Sequence, residues 1–227
     1  MMNHYLIGCG GVGSLMAAPL KMLIHPTHSL MLVDGDTLEM RNLNRQMFSR
    51  DEVGMNKAEA LAKRINCQYE PRYYSFGWQT HSPSDWLLCV VDNHACRRDV
   101  LSVADRYQCS AIFGANEKFS SEAFIYLPEW RDTPQDPRVY YPEILSDRSG
   151  DPRSAMIGCT GEAQERTPQL VSANFMAASL VLHLYVLWAM EAPKLKRSTR
   201  AVLPYKLCNN LTRMEVHRPA VKTETAP

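Results

Sequence analysis

Tyr5-Leu6-Ile7-Gly8-Cys9-Gly10-Gly11-Val12-Gly13-Ser14 stands close to the start of the 227-residue chain, and its spacing decides the fold. Gly8, Gly10 and Gly13 fit a G-x-G-x-x-G pattern directly after a short apolar strand. Glycine is needed there because the turn is tight, the backbone must approach a phosphate closely, and the next helix must pack hard on its strand. Leu15, Met16, Leu20 and Leu23 then read as a helix, whose first N–H groups and positive dipole end favour an anion. A second apolar strand, Leu30-Met31-Leu32-Val33, runs into Asp34-Gly35-Asp36, so Asp34 stands where a ribose-binding carboxylate belongs. The combination predicts a nucleotide-binding α/β domain. A glycine turn in an ordinary α/β protein is the plainer alternative.

The stretch beyond Asp34 separates the nucleotides. It carries Asn42-Leu43-Asn44-Arg45-Gln46, and then Gly54-Met55-Asn56-Lys57. A dehydrogenase gives no reason for this pattern. Two cations flanking a phosphate site suggest a triphosphate, with Arg45 as a planar fork and Lys57 as a compact point charge. Cys89-Val90-Val91-Asp92-Asn93 puts a further carboxylate at the end of another apolar strand. Ligands of open parallel sheets sit at the carboxyl ends of strands, so Asp34 and Asp92 are expected to face one site, with Asp92 free to hold Mg2+.

These residues together resemble the ThiF/MoeB/ubiquitin-activating (E1-like) adenylyltransferase superfamily. The match covers Gly8-x-Gly10-Gly11-x-Gly13-Ser14, Asp34-x-Asp36, Asn42-Leu43-x-Arg45-Gln46, Gly54-x-x-Lys57 and Val91-Asp92-Asn93 with Arg97 or Arg98, roughly the first half of the chain. The resemblance implies an ATP- and Mg2+-dependent transferase that adenylates the C-terminal carboxylate of a ubiquitin-like or sulfur-carrier protein ending in glycine. It assigns Asp34 to the ribose, Arg45 and Lys57 to the triphosphate, and Asp92 to Mg2+. Asp36, Asn42, Gln46 and Asn93 match the motif and receive supporting contacts. It also implies a homodimer, with a conjugating enzyme as a candidate partner.

A second chemical candidate is Cys159, in Gly158-Cys159-Thr160-Gly161-Glu162. A loop cysteine near a helix start can have a lowered thiol pKa and act as a nucleophile. The resemblance nominates Cys159 as the acceptor that forms a thioester; an unreactive small loop residue is the equal alternative. Cys9 sits in the glycine loop and Cys89 in an apolar strand, while Cys67, Cys96, Cys109 and Cys208 are scattered. No C-x-x-C occurs, so the paired zinc motifs of many relatives are missing and no zinc is expected. Seven cysteines without a disulfide-like framework, and no signal-peptide pattern at the N-terminus, predict a cytoplasmic protein. A net charge of +1 gives no argument for nucleic acid.

The layout predicts strands at 4–7, 29–33, 70–75, 86–91, 111–113 and 123–127, and helices at 12–24, 57–66 and 95–107. A final pair of antiparallel strands is expected within 200–217. The fold expected is thus a Rossmann-like, largely parallel sheet with helices on both faces and antiparallel strands at the C-terminus. Residues 1–218 form one adenylation domain with a crossover segment at about 128–167, and 219–227 form a flexible tail. Prolines 128, 134, 137, 142 and 152 make 128–154 a long irregular connection. Residues 170–190 are nearly uncharged, yet Ser172, Asn174, Ser179 and His183 are costly in lipid, so a buried helix is expected and no membrane span. His183 reads as a core or interface residue, and His4, His25, His28, His81, His94 and His217 as surface or loop residues.

Many relatives carry an arginine on a helix before the glycine loop, and none precedes Gly8 here. Two other functions therefore stay open. One is a non-catalytic, pseudo-activating subunit. The other is adenylation of a small-molecule, peptide or RNA-borne carboxylate. An NAD-dependent oxidoreductase stands behind these.

Overall fold

The apolar runs predicted as strands lie side by side at the centre of the molecule. The structure, a computed structural model, describes residues 1–116, 120–147, 171–210 and 214–217. Five strands run parallel: β1 (Asn3–Ile7), β2 (Ser29–Val33), β3 (Gln68–Glu70), β4 (Trp86–Cys89) and β5 (Ser110–Asn116). Three antiparallel strands continue the sheet: β6 (Ser120–Tyr126), β7 (Lys206–Asn210) and β8 (Met214–His217). The order across the sheet is β3-β2-β1-β4-β5-β6-β7-β8.

Alternation along each strand divides the core between two faces. Leu6, Leu32, Leu88 and Ile112 point to one face and pack with α1 (Gly11–Leu23), α2 (Lys57–Ile65) and α6 (Val171–Tyr185). Tyr5, Ile7, Val33, Leu87, Cys89 and Phe113 point to the other. They pack with α3 (His94–Tyr107) and with Ile144 of the short helix α5 (Glu143–Ser146), which follows α4 (Pro137–Tyr140). Burying one such aliphatic side chain is worth ~1.5–3 kcal/mol, so two covered faces hold the strand register firmly.

The sheet, its two helical layers and the terminal antiparallel strands are as the sequence predicts; several details differ. The third strand is Gln68–Glu70, not 70–75, because Pro71 cannot donate to a ladder and ends it. Within the predicted irregular connection, Pro128–Trp130 form a 3-10 turn and residues 137–140 and 143–146 are helical. Asp136, wholly buried, caps α4 and pairs with Arg138, which also binds Asp105 of α3 at 2.7 Å. The predicted crossover from 148 to 167, with Cys159, lies outside the described residues, as does the 219–227 tail.

His4 is neither a surface nor a loop residue, and His81, though in a loop, is not on the surface. His4 is 1% exposed, with Nδ1 3.1 Å from Ser29 O and Nε2 2.9 Å from the Tyr185 hydroxyl. The His81 side chain is also buried, between Tyr74 and Asp85. His183 is not in the core: it is exposed on α6, with Nδ1 2.8 Å from Ser179 O one turn back. The apolar helix continues through a π-helical turn at Val186–Glu191, and half of its most apolar stretch is buried inside the fold.

Candidate functional site

The strand order reverses between β1 and β4, because β1 passes to β2 through α1 on one face while β4 passes to β5 through α3 on the other. The loops after β1 and β4 therefore part, and a crevice opens at the carboxyl edge of the sheet. The glycine loop fills this switch point. Gly8 donates its N–H to Val33 O and Val90 donates to Ile7 O, both at 2.9 Å, which ties the loop to the ends of β2 and β4. Gly8 has φ +94°, in the left-handed region, and a Cβ there would lie 2.9 Å from Val91 Cγ1. A Cβ on Gly13 would meet Gly8 O at 1.9 Å, so α1 cannot seat against its strand with any larger residue.

α1 begins without a side-chain cap, since Gly10 has none to offer. Its first N–H groups are left to a ligand or to water. Asp34 is bound into the loop at the opposite wall. Its carboxylate accepts from Cys9 N–H at 2.6 Å and from Asp36 N–H at 2.8 Å. Burial pushes the Asp34 pKa up, opposed by those two N–H bonds and by the Lys57 charge. Burial, helped by the nearby Asp34 carboxylate, also pushes the Cys9 thiol well above its ordinary value, so Cys9 is no nucleophile at neutral pH.

Lys57 is the first residue of α2 and is buried, with Nζ 2.8 Å from Asp36 Oδ2. Arg45 is half-buried, and its guanidinium donates to Arg41 O at 3.0 Å and to Asn44 Oδ1 at 3.1 Å. Asn42 is buried and works within its own turn, accepting from Glu39 N–H at 3.0 Å. Asn93 caps α3 by accepting from Cys96 N–H at 2.8 Å. Asp92, just past the end of β4, is exposed. Gln46 turns its amide towards Gly10, and its buried Oε1 has no hydrogen-bond partner among the described residues. A glycine cradle that a Cβ would fill and an uncapped helix start beside it fit a bound polyanionic nucleotide.

Two residues at this site, Asn174 and Asn56, are silent in the motif, and a third, Ser14, is in it without a role assigned. Asn174 of α6 is wholly buried and donates to Arg45 O at 3.2 Å, while its Oδ1 accepts from Asn116 Nδ2 at 2.9 Å. A Cβ on Gly11 would lie 2.6 Å from its Nδ2, so it also abuts the glycine loop. Asn56 caps α2 and donates to the carbonyls of Asp34 and Asp36 at 2.8 and 3.1 Å. Its signal was present: an Asn followed three residues later by Glu59 ahead of an apolar helix. Ser14 Oγ accepts from Met47 N–H at 3.0 Å, joining α1 to the Arg45 segment. Asn174 had no sequence signal beyond its polarity, and Ser14, though a motif position, had none for this bond.

The ThiF family model matches residues 2–223. The chain belongs to the ThiF family. It is 29% identical over 145 residues to the Nedd8-activating enzyme E1 catalytic subunit of Drosophila melanogaster, covering 54% of this chain and 32% of that protein. It is 31% identical over 113 residues to ubiquitin-like modifier-activating enzyme 5 of Drosophila ananassae, covering 40% and 28%. The matches thus span about a third of these relatives' length. Among solved structures, PaaA superposes with a TM-score of 0.64 at 18% identity, covering 96% of this chain and 64% of that one. E. coli MccB solved with AMPCPP and MccA gives 0.64 at 16%, covering 96% and 63%. These likenesses establish a shared α/β fold.

Proposed function

We propose that this ThiF-family protein uses ATP and Mg2+ to adenylate the C-terminal carboxylate of a ubiquitin-like or sulfur-carrier protein. The observation that carries the reading is the glycine loop held between Asp34 and the end of β4, with the uncapped start of α1 open beside it. Asp34 accepts the ribose hydroxyls; its two backbone donors keep the carboxylate oriented. The N–H groups of α1 and the cations Arg45 and Lys57 hold the phosphates. The acceptor carboxylate, already ionised at neutral pH, attacks the α-phosphorus; pyrophosphate leaves and an acyl-adenylate forms. Both reactants are anions, so cations that spread the developing charge supply most of the help and no general base is needed. Asp92 would hold Mg2+, which would neutralise phosphate charge when bound. Cys159 is the acceptor in a second step: its thiolate attacks the acyl carbonyl, AMP leaves and a thioester forms.

A peptide acceptor is the second reading, favoured by the likeness of this fold to MccB, whose solved complex contains MccA. A homodimer and a cytoplasmic location belong to the same proposal. The first test needs no acceptor. Calorimetry should give saturable binding of ATP with Mg2+, weakened about tenfold or more in Asp92→Ala and Arg45→Ala, and no binding of NAD. NAD binding without ATP binding would overturn the reading.

A further inference from the structure

Tyr73 lies in the loop after β3, where its exposure conflicts with its fixation. It is 64% exposed, yet held at both ends of its ring. The hydroxyl donates to Asp36 Oδ1 at 2.7 Å, and the other oxygen of that carboxylate holds Lys57. The base of the ring rests on the backbone of Gly35: a Cβ built there would lie 2.7 Å from Tyr73 Cγ and 2.8 Å from Cδ1 and Cδ2. Gly35 has an ordinary φ, so what calls for glycine here is the ring itself. Tyr74 anchors the same loop, at 5% exposure in the core with its hydroxyl on His81. The loop is thus fastened by one tyrosine and presents the next.

The place is specific. Gly35 separates Asp34, which joins the glycine loop, from Asp36, which joins Lys57. A nucleoside triphosphate with its phosphates over the glycine loop and its ribose on Asp34 carries its base on the far side of the ribose, towards the β2–β3 edge. Tyr73 is the aromatic side chain that lies on that turn. Arg72, its neighbour, is engaged with Glu70 and stacked over Trp78, so it is turned away to other partners.

We infer that Tyr73 is the stacking platform for the base of the nucleotide. The inference rests on the nucleotide reading above and adds to it the residue that receives the base. One face of the ring is seated on Gly35, and the other is open to a planar heterocycle. The ring is immobilised before the nucleotide arrives, so little side-chain entropy is lost on binding. Stacking engages the π-face that every base has, so this contact strengthens binding without choosing among bases. The hydroxyl positions the ring. Its bond to Asp36, with burial and the carboxylate charge, pushes its pKa up to about 12, so it remains a donor across the neutral range.

The test compares wild type with Tyr73→Ala and Tyr73→Phe, using the full chain. Calorimetry with ATP and Mg2+ should show affinity falling about tenfold or more in Tyr73→Ala and staying within about threefold in Tyr73→Phe, the scale of base–aromatic stacking. The fluorescence of 2-aminopurine riboside triphosphate should be quenched on binding wild type and Tyr73→Phe, and not by Tyr73→Ala. Inorganic tripolyphosphate, which has no base, should bind all three alike; a parallel loss there would mean that Tyr73 acts only through Asp36 and Lys57 and would overturn the inference. Equal ATP affinity and equal quenching in wild type and Tyr73→Ala would overturn it too, with the nucleotide reading intact. Failure of wild type to bind ATP at all would remove the nucleotide reading itself.

Discussion

At the scale of single residues, the site is fastened by amides more than by its charges. Asn174 joins the Arg45 main chain, the end of β5 and the glycine loop, with partners 129 and 58 residues away in sequence. That separation is why it was illegible: a motif read along the chain records Gly11 and Arg45, not the side chain wedged between them. Removing the amide takes a partner from Asn116 and from Arg45 O, both part-buried, where a lost hydrogen bond costs about 0.5–1.5 kcal/mol. Asn174→Ala should therefore lower the unfolding free energy by about 2 kcal/mol in a denaturant titration, and should weaken ATP binding as the loop and the Arg45 segment loosen. Unchanged stability with unchanged affinity would show that the three segments hold without it. The glycine loop itself was legible, because Gly8 and Gly13 are required by backbone geometry that any sequence adopting this turn must satisfy. The sequence proposes Lys57 as a cation for phosphate but gives no sign of its partner Asp36, whose pairing with both Lys57 and Tyr73 needs the fold of two loops.

At the scale of elements, the parallel half of the sheet could be read from apolar runs, while its ends could not. Residues 30–33 and 86–89 are continuous apolar segments, as expected where both faces are covered. The short edge strand β3 has exposed residues, so its bounds slipped in the reading. The histidines failed for a related reason: polarity suggested surface, but His4 of β1 and Tyr185 of α6 satisfy each other inside the fold. The bond that the Tyr185 hydroxyl donates pins the long apolar helix to the central strand. Burial chiefly, with His28 nearby, pulls the His4 pKa down to about 4, against the Ser29 carbonyl and Asp85, which favour the charged form. The unfolded imidazole binds its proton near its ordinary pKa of about 6.5, and the folded one only near pH 4, so the unfolded state holds more protons between those values. Stability attributable to His4 is complete above that window and falls as pH drops through it. Melting temperatures measured from pH 8 to pH 4 should decline across the window in wild type. The decline should be shallower in His4→Gln, which cannot take up a proton, even though that variant starts lower. Parallel curves would place the acid sensitivity elsewhere.

At the scale of the whole molecule, the sheet has two unlike halves. Its parallel half ends in the crevice at the glycine loop, and its antiparallel half continues the same sheet from β5 through β6 to β8. Asn116, the last residue of β5, already connects the two by its bond to Asn174. In the proposed reaction an acceptor brings its carboxylate to the crevice, where the α-phosphorus of a nucleotide lying over the glycine loop would be. Two steps are then separable by experiment. ATP–pyrophosphate exchange reports adenylation alone and requires a free terminal carboxylate, so a carrier ending in glycine should support it and the same carrier amidated at its C-terminus should not. A covalent adduct reports transfer to sulfur and should form only with ATP and be cleaved by thiol. Cys159→Ala should leave exchange within about threefold of wild type, because a thiol that attacks after adenylation contributes nothing to the first transition state, and should abolish the adduct. Loss of exchange together with the adduct would place position 159 in the first step rather than the second. Exchange supported equally by the amidated carrier would remove the carboxylate from the reaction, and with it the roles proposed for Arg45, Lys57 and Asp92.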